Sequence, residues 1–301
     1  MHHLSWLEAG TVGLLQGVTE LFPVSSLGHS VLIPAVVGGS WARDLNVRTS
    51  ESPYLAFIVG LHVATAVALI IFFWRDWLRI ARGLGTSIAR REVADPDQRL
   101  AWLLVLSTVP VGLVGLVGEH VFRTTLSRPI PTAVFLIVNG VVLVMIERSS
   151  RAQRRDEDTE YVDERLSGSD SDRRIVRLSV RRAVTVGSAQ ILALAPGISR
   201  SGVTTSAGMT AGLTREDAAR FSFLLATPVI LAAGVLKVGD LAGPLGDGIR
   251  PQVLFGSVLS GVGAYVSVRF LTRYFTNRSL RPFGAYCVAA GTLCLVWFAV
   301  R

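Results

Sequence analysis

Only 17% of the 301 residues are charged, only two are cysteine, and Lys237 is the single lysine among 30 Lys+Arg. So little charge excludes a conventional solvated exterior for a chain of this length. Cys287 and Cys294 lie seven apart inside one apolar block with no other soft ligand nearby, which argues against a disulfide framework or a zinc site. A removable signal peptide is a poor reading as well. The first apolar block carries Glu8, Gln16 and Glu20 and lacks both a basic leading region and a small-residue cleavage site, so the N-terminus is expected to belong to the mature fold. The net charge of +8 and pI of 10.4 raise the question of nucleic acid. The basic residues fall between apolar blocks instead of along one amphipathic face, so no nucleic-acid partner is expected.

What the chain has in abundance is hydrophobicity: half of the residues are apolar and the mean hydropathy is +0.48. Apolar stretches at about 54–74, 100–118, 131–146, 221–242, 252–268 and 282–300 approach the ~20 residues that cross a bilayer core as a helix. Two more, 4–37 and 183–213, are broken by Pro23, Ser25, Ser26, Gly28 and His29 and by Pro196, Gly197, Ser199, Arg200, Ser201 and Gly202. Broken backbone is tolerated at membrane depth only where it is buried in protein or lines a polar cavity. The expected fold is therefore an all-α integral membrane protein with six transmembrane helices and two re-entrant helix-loop-helix hairpins.

The hydrophilic segment 148–182 divides the chain into a first repeat (1–147), a charged cytoplasmic linker, and a second repeat (183–301), each reading hairpin, span, span, span. Gln16…Pro23…Ser26 echoes Gln190…Pro196…Ser199, with spacings that differ by one residue. Twenty-two of the 30 basic residues fall in 75–99, 148–182, 213–220 and 269–281, all on one side if both hairpins turn back, and five fall on the other. The positive-inside rule then places both termini outside and makes the repeats inverted.

The chemistry-bearing residues sit at the breaks. Gln16 and Glu20, four apart, share a helix face, and Pro23-Val24-Ser25-Ser26-Leu27-Gly28-His29 follows with hydroxyls, a turn and an imidazole. Ionisable groups embedded in membrane segments are costly and functional by default, although Glu20 as an interfacial helix-end carboxylate and His29 as a structural histidine form the plainer alternative. In the second hairpin, Arg200 stands between Ser199 and Ser201 in a Gly-bounded loop that opens a helix. Backbone N–H groups, the helix dipole and a guanidinium can converge there on one anion. The plainer alternative is an arginine that snorkels to the interface or pairs with Glu20.

Together the two motifs resemble those of the undecaprenyl-diphosphate phosphatases, the bacitracin-resistance family, whose pattern is Glu/Gln-x-x-x-Glu, then Pro-Val-Ser-Ser-x-Gly-His, then Pro-Gly-x-Ser-Arg-Ser-Gly-x-Thr. The likeness extends through Phe73-Trp74-Arg75 and Phe221–Ala226 and leaves out the linker 148–177. It implies a plasma-membrane phosphatase with its active site open to the outer face. Such an enzyme hydrolyses a polyprenyl diphosphate lipid to the monophosphate and orthophosphate, recycles the carrier for cell-wall synthesis, and is assisted by a divalent cation, Mg2+ or Ca2+. By the same likeness Glu20, Ser26, His29 and Arg200 are the catalytic candidates, with Gln16, Ser25, Ser199, Ser201 and Thr204 binding substrate and Glu20 holding the metal. Gln16, where many members have Glu, removes one acidic ligand. The nucleophile is Ser26 activated by His29, or His29 itself. A homodimer is a further partner to consider.

The main rival is a polyprenyl-phosphate transporter or flippase built on the same inverted repeat. It has no need of a nucleophile beside Glu20. The acid-phosphatase-like lipid phosphatases require a lysine ahead of the Ser-Arg element and a later histidine. Lys237 follows Arg200 and no histidine follows position 120, which excludes them. His2, His3, His62 and His120 have no acidic neighbours at ligand spacing and receive structural roles.

Overall fold

The computed structural model describes residues 4–46, 53–157, 168–243 and 247–300. His2 and His3 lie outside them, as does the middle of the linker, 158–167. The described residues are helical and include no strand. In chain order the helices are α1 (Trp6–Thr19), α2 (Ser26–Val37), α3 (Gly39–Asp44), α4 (Pro53–Phe72), α5 (Trp74–Arg90), α6 (Pro96–Val121) and α7 (Pro129–Glu157). They continue with α8 (Gly168–Ile175), α9 (Val180–Ser188, extended by a 3-10 turn over Ala189–Leu194), α10 (Arg200–Thr210), α11 (Arg215–Ala242), α12 (Arg250–Asn277) and α13 (Arg281–Val300). Helices α6, α7, α11, α12 and α13 are each long and apolar enough to cross a membrane. Helix α4 joins them as a sixth when taken with α5, from which it is bent by 89°. The bend follows from sequence: the uniformly apolar α4 ends at Phe72, and α5 is amphipathic, burying Ile80, Gly83 and Ser87 beneath a face rich in arginine. This is a multi-pass membrane protein, and the exposed Leu116, Val117, Val262, Leu293 and Val300 are what a lipid-facing exterior requires.

Between these long helices sit two pairs of short ones. Helix α1 starts at a capping box, in which the Ser5 hydroxyl accepts from the Glu8 N–H while the Glu8 carboxylate accepts from the Ser5 N–H. It stops where Pro23 ends the run, and α2 begins at the N-cap Ser25, whose backbone takes a left-handed φ of 68°. The second pair repeats the device, with Ser199 as N-cap of α10. Ser25 Oγ accepts from Gly28 N–H and Ser199 Oγ accepts from Gly202 N–H, each three residues on. The structural register thus matches Ser25 with Ser199, where the sequence echo had matched Ser26. Gln16 and Gln190 then stand nine residues before their caps, and Gly13 and Gly187 twelve before.

The glycines show why the spacing matters. A Cβ on Gly13 or Gly17 would overlap the backbone of Gly256 or Ser260 on α12, and one on Gly187 would overlap the Ser107 carbonyl on α6. Small residues let α1 lie on α12 and α9 on α6 at backbone contact, the usual basis of helix association in lipid.

The charged segment 148–182 is less of a linker than its composition suggests. Helix α7 continues to Glu157, and α8 docks on the bundle with Ser171, Asp172 and Ile175 buried. Fully buried Asp217 on α11 accepts from Ser171 Oγ and from both Arg174 Nε and Nη2, and hydrogen bonding to Asp217 raises the Arg174 guanidinium above its usual range. Asp172 is gripped by Arg79 of α5 and Arg220 of α11. Buried carboxylates need such partners, and Arg174 of this segment with Arg79 and Arg220 outside it supply them. Composition alone conceals the docking because the acids that fix α8 lie outside it or pair across it.

Candidate active site

Glu20 follows the last turn of α1, 6% exposed, and both of its oxygens are engaged. Oε1 accepts from Arg200 Nη2 at 2.8 Å, across 180 residues of sequence. Oε2 accepts from Ser26 Oγ and, at 2.9 Å, from Gln16 Nε2. His62 of α4 completes the ring, its Nε2 3.3 Å from the same oxygen while Nδ1 donates to the Ile58 carbonyl at 2.8 Å. The structure therefore brings Gln16, Glu20, Ser26 and Arg200 together as one cluster. It adds His62, which had been assigned a structural role because the acid it meets is remote in sequence. An ionisable group inside the apolar run of α4 was itself the available clue. The side chain of His120 lies outside those described.

His29 is placed differently. Its Nδ1 is 2.7 Å from the Ser25 carbonyl, which can only accept, so that nitrogen carries the proton. Nε2 is 2.7 Å from the hydroxyl of Tyr286 on α13, over whose ring the imidazole stacks at 5.7 Å. Both ring nitrogens are engaged away from Ser26. The neighbour that takes a hydrogen bond from Ser26 is Glu20.

The remaining hydroxyls tie the two short-helix pairs to each other. Ser25 Oγ accepts from Gly197 N–H at 3.1 Å as well as from Gly28. Ser201 Oγ donates to the Phe22 carbonyl at 3.1 Å and lies 3.0 Å from Ser199 Oγ, and Thr204 Oγ1 donates to the Arg200 carbonyl within its own helix. Asn139 of α7 joins both turns, donating through Nδ2 to the Pro23 carbonyl and accepting at Oδ1 from Ser199 N–H. Gly197 takes a φ of +107° against the Thr132 carbonyl, a position a side chain would block. Asn139 and Tyr286 carry no motif that marks them in the sequence.

Two buried polar atoms in the cluster have no partner, Arg200 Nη1 and Gln16 Oε1. The first is an N–H of the same guanidinium that grips Glu20, a donor of the kind an anionic oxygen accepts from. The second is forced, because Glu20 can only accept and Gln16 must turn Nε2 toward it. An amide oxygen beside a carboxylate is the kind of donor pair a hard cation accepts when substrate oxygens and water complete its shell. Among the described residues no group of three or more His, Cys, Asp or Glu stands together to hold a metal by itself.

A helical membrane bundle that encloses a carboxylate, a guanidinium with a free N–H and a hydroxyl belongs to the class of integral membrane proteins that handle anions. More closely, the chain belongs to the bacitracin resistance protein BacA family, which it matches over residues 9–293. It is 60% identical over 302 residues to the undecaprenyl-diphosphatase of Mycolicibacterium paratuberculosis, covering 99% of each chain. It is 48% identical over 370 residues to undecaprenyl-diphosphatase 1 of Frankia casuarinae, covering 100% of each. Undecaprenyl-diphosphatase 2 of Burkholderia thailandensis is 42% identical over 291 residues, covering 95% of each.

Proposed function

We propose that this chain hydrolyses undecaprenyl diphosphate, and polyprenyl diphosphates of the same kind, to the monophosphate and orthophosphate at the Glu20–Arg200 cluster. The reaction recycles the lipid carrier for cell-wall synthesis and underlies bacitracin resistance. The observation that carries the reading is the buried, unpartnered Nη1 of Arg200 beside a Ser26 hydroxyl already hydrogen-bonded to Glu20. Phosphoryl transfer asks for charge neutralisation and an in-line nucleophile, and these three side chains supply both. The names of the relatives above agree with it.

In the mechanism we propose, the terminal phosphoryl group enters with one oxygen on Arg200 Nη1 and draws Nη2 from Glu20. The carboxylate, relieved of its cation, takes the proton of Ser26 as Oγ attacks phosphorus. The bond from phosphorus to the bridging oxygen breaks, and the lipid monophosphate leaves as an anion that needs no proton. Water then attacks the seryl phosphate and releases orthophosphate, and Glu20 returns its proton to Ser26 Oγ, restoring both groups. His29 holds the Ser25–Ser26 turn through the Ser25 carbonyl, anchored by Tyr286. Glu20 and Gln16 Oε1 would hold a divalent cation, Mg2+ or Ca2+, which would add neutralising charge on the diphosphate.

The setting of the site is part of the proposal. At 1.5 Å per residue the 14-residue α1 and 12-residue α2 reach about 21 and 18 Å, short of the ~30 Å core. We read both short pairs as re-entrant hairpins of an inverted repeat, supported by the matched caps and glycines. The cluster then opens to the outer face of the bacterial plasma membrane. The test is phosphate release from undecaprenyl diphosphate by the purified protein in detergent, with and without EDTA. One orthophosphate per lipid, lost in EDTA, is expected. Lipid exchange across proteoliposomes without phosphate release would establish the transporter reading instead.

A further inference from the structure

On the arginine-rich face, α12 carries two parallel rows that the cluster around Glu20 does not use. Arg269 and Arg273 stand one turn apart, continued by Arg278 just past the helix end, and beside them Val266, Phe270 and Tyr274 form an apolar row of the same period. Together they line a groove of about 470 Å³, within the range of small-ligand sites. Four other arginines of this face, Arg79, Arg174, Arg215 and Arg220, each grip a carboxylate. The guanidinium groups of Arg269, Arg273 and Arg278 make no hydrogen bond or ion pair among the described residues. The C-terminal dipole of α12 opposes an anion with about half a charge, against three full positive charges.

The floor of the groove is built in advance. Phe270 stacks on Phe22 at 5.9 Å and lies tilted against Tyr274 at 5.5 Å, and both Phe22 and Tyr274 meet Phe283 edge-on at 5.5 and 5.2 Å. Tyr274 donates to the Ser279 carbonyl, so its hydroxyl is already used. Yet Phe270 is 49% exposed and Val266 61%, an uncovered apolar row beside the arginines. A soluble phosphate would satisfy the arginines and leave that apolar row bare. A molecule with a phosphate at one end and an acyl chain at the other covers both.

We propose that this groove is a binding site for one anionic phospholipid of the bilayer, its phosphate held by Arg269, Arg273 and Arg278 and an acyl chain laid along Val266 and Phe270. Arginine suits the role because its planar fork grips phosphate oxygens in pairs.

Native mass spectrometry of the full chain, released from equal mixtures of phosphatidylglycerol and phosphatidylcholine, tests it. Wild-type protein should retain one phosphatidylglycerol in at least tenfold preference. The double variant Arg269→Gln/Arg273→Gln should lose that preference, whereas Arg82→Gln/Arg90→Gln, exposed arginines of the same face outside the groove, should keep it. Equal retention of the two lipids by wild type, or equal loss in both double variants, would overturn the site. So would displacement of the bound lipid by excess inorganic phosphate at concentrations that leave bulk bilayer binding intact, since the apolar row would then contribute nothing. Should the double variant not fold, Arg278→Gln alone is expected to reduce retention several-fold, and unchanged retention there counts against the proposal equally.

Discussion

Arg200 is the residue on which most depends, because one guanidinium is asked to hold Glu20 through Nη2 and a phosphoryl oxygen through Nη1. A lysine keeps the charge and loses the fork. Arg200→Lys should therefore insert and fold while phosphate release drops by two orders of magnitude or more, and near wild-type turnover would reduce the arginine to a structural tie. Ser26→Ala should lose as much, on the scale of removing a group that takes part in bond making. Tyr286→Phe separates the roles of the imidazole. If His29 only holds the turn, loss of the hydroxyl should cost a few-fold in turnover, and a collapse as deep as that of Ser26→Ala would return His29 to the chemical step. The motif residues were legible in sequence because Glu, Ser and Arg are rare inside apolar runs. Asn139 and Tyr286 were not, since they reach the cluster only through folding and carry no motif, and His62 was marked only by its place inside an apolar run, the acid it meets being remote in sequence.

At the level of helices, backbone contact decides where the cluster sits. Gly17 lies against the Ser260 carbonyl, one residue from Gln16 and three from Glu20. Gly17→Ala must push α1 off α12, an overpacking that costs about 1–3 kcal/mol. The expected outcome is a lower melting temperature in detergent together with reduced turnover, and a variant that melts early yet turns over normally would show that α1 need not be held so closely. Helix α8 offers a contrasting case remote from the cluster. Asp217 is fully buried and its partner Arg174 is about a quarter exposed, so Asp217→Asn should cost about 3 kcal/mol, the low end for breaking a buried pair. Thermal unfolding measures it, and no loss would mean that the Asp172 ion pairs with Arg79 and Arg220, together with buried Ile175 and Leu178, hold α8 without it. Long apolar helices and the breaks between them were readable from hydropathy. The docking of α8 was not, because it arises from where charges find partners in three dimensions, and the 89° turn at Phe73 is marked in sequence only by the change from the apolar α4 to the amphipathic α5.

For the molecule as a whole, orientation in the bilayer follows from two independent constraints. The first is length: α1 and α2 are each too short to cross. The second is charge. With both short pairs turning back, 22 of the 30 basic residues face one side and five the other, whereas a full crossing by the second pair would invert every later loop and carry Arg215, Arg220, Arg269, Arg273, Arg278 and Arg281 to the opposite face from the rest; the first pair, which no basic residue precedes, is constrained by its length. The structure adds a reason for the charged face to stay together. Asp172 of α8 is bound to Arg79 of α5 and Arg220 of α11, and Glu147 near the end of α7 is bound to Arg215, so the loops carrying most of the arginines are cross-linked to one another on one face. A cysteine replacing Arg177, exposed just after α8, should thus be shielded from a membrane-impermeant thiol reagent in intact cells and become reactive on permeabilisation. Cysteines at Ser40 or at Asp247, which is 69% exposed, should be labelled without it. Native Cys287 is buried, which limits the background. Labelling at Arg177 from outside would reverse the orientation. Under the re-entrant reading proposed above, it would also turn the substrate entrance toward the cytoplasm.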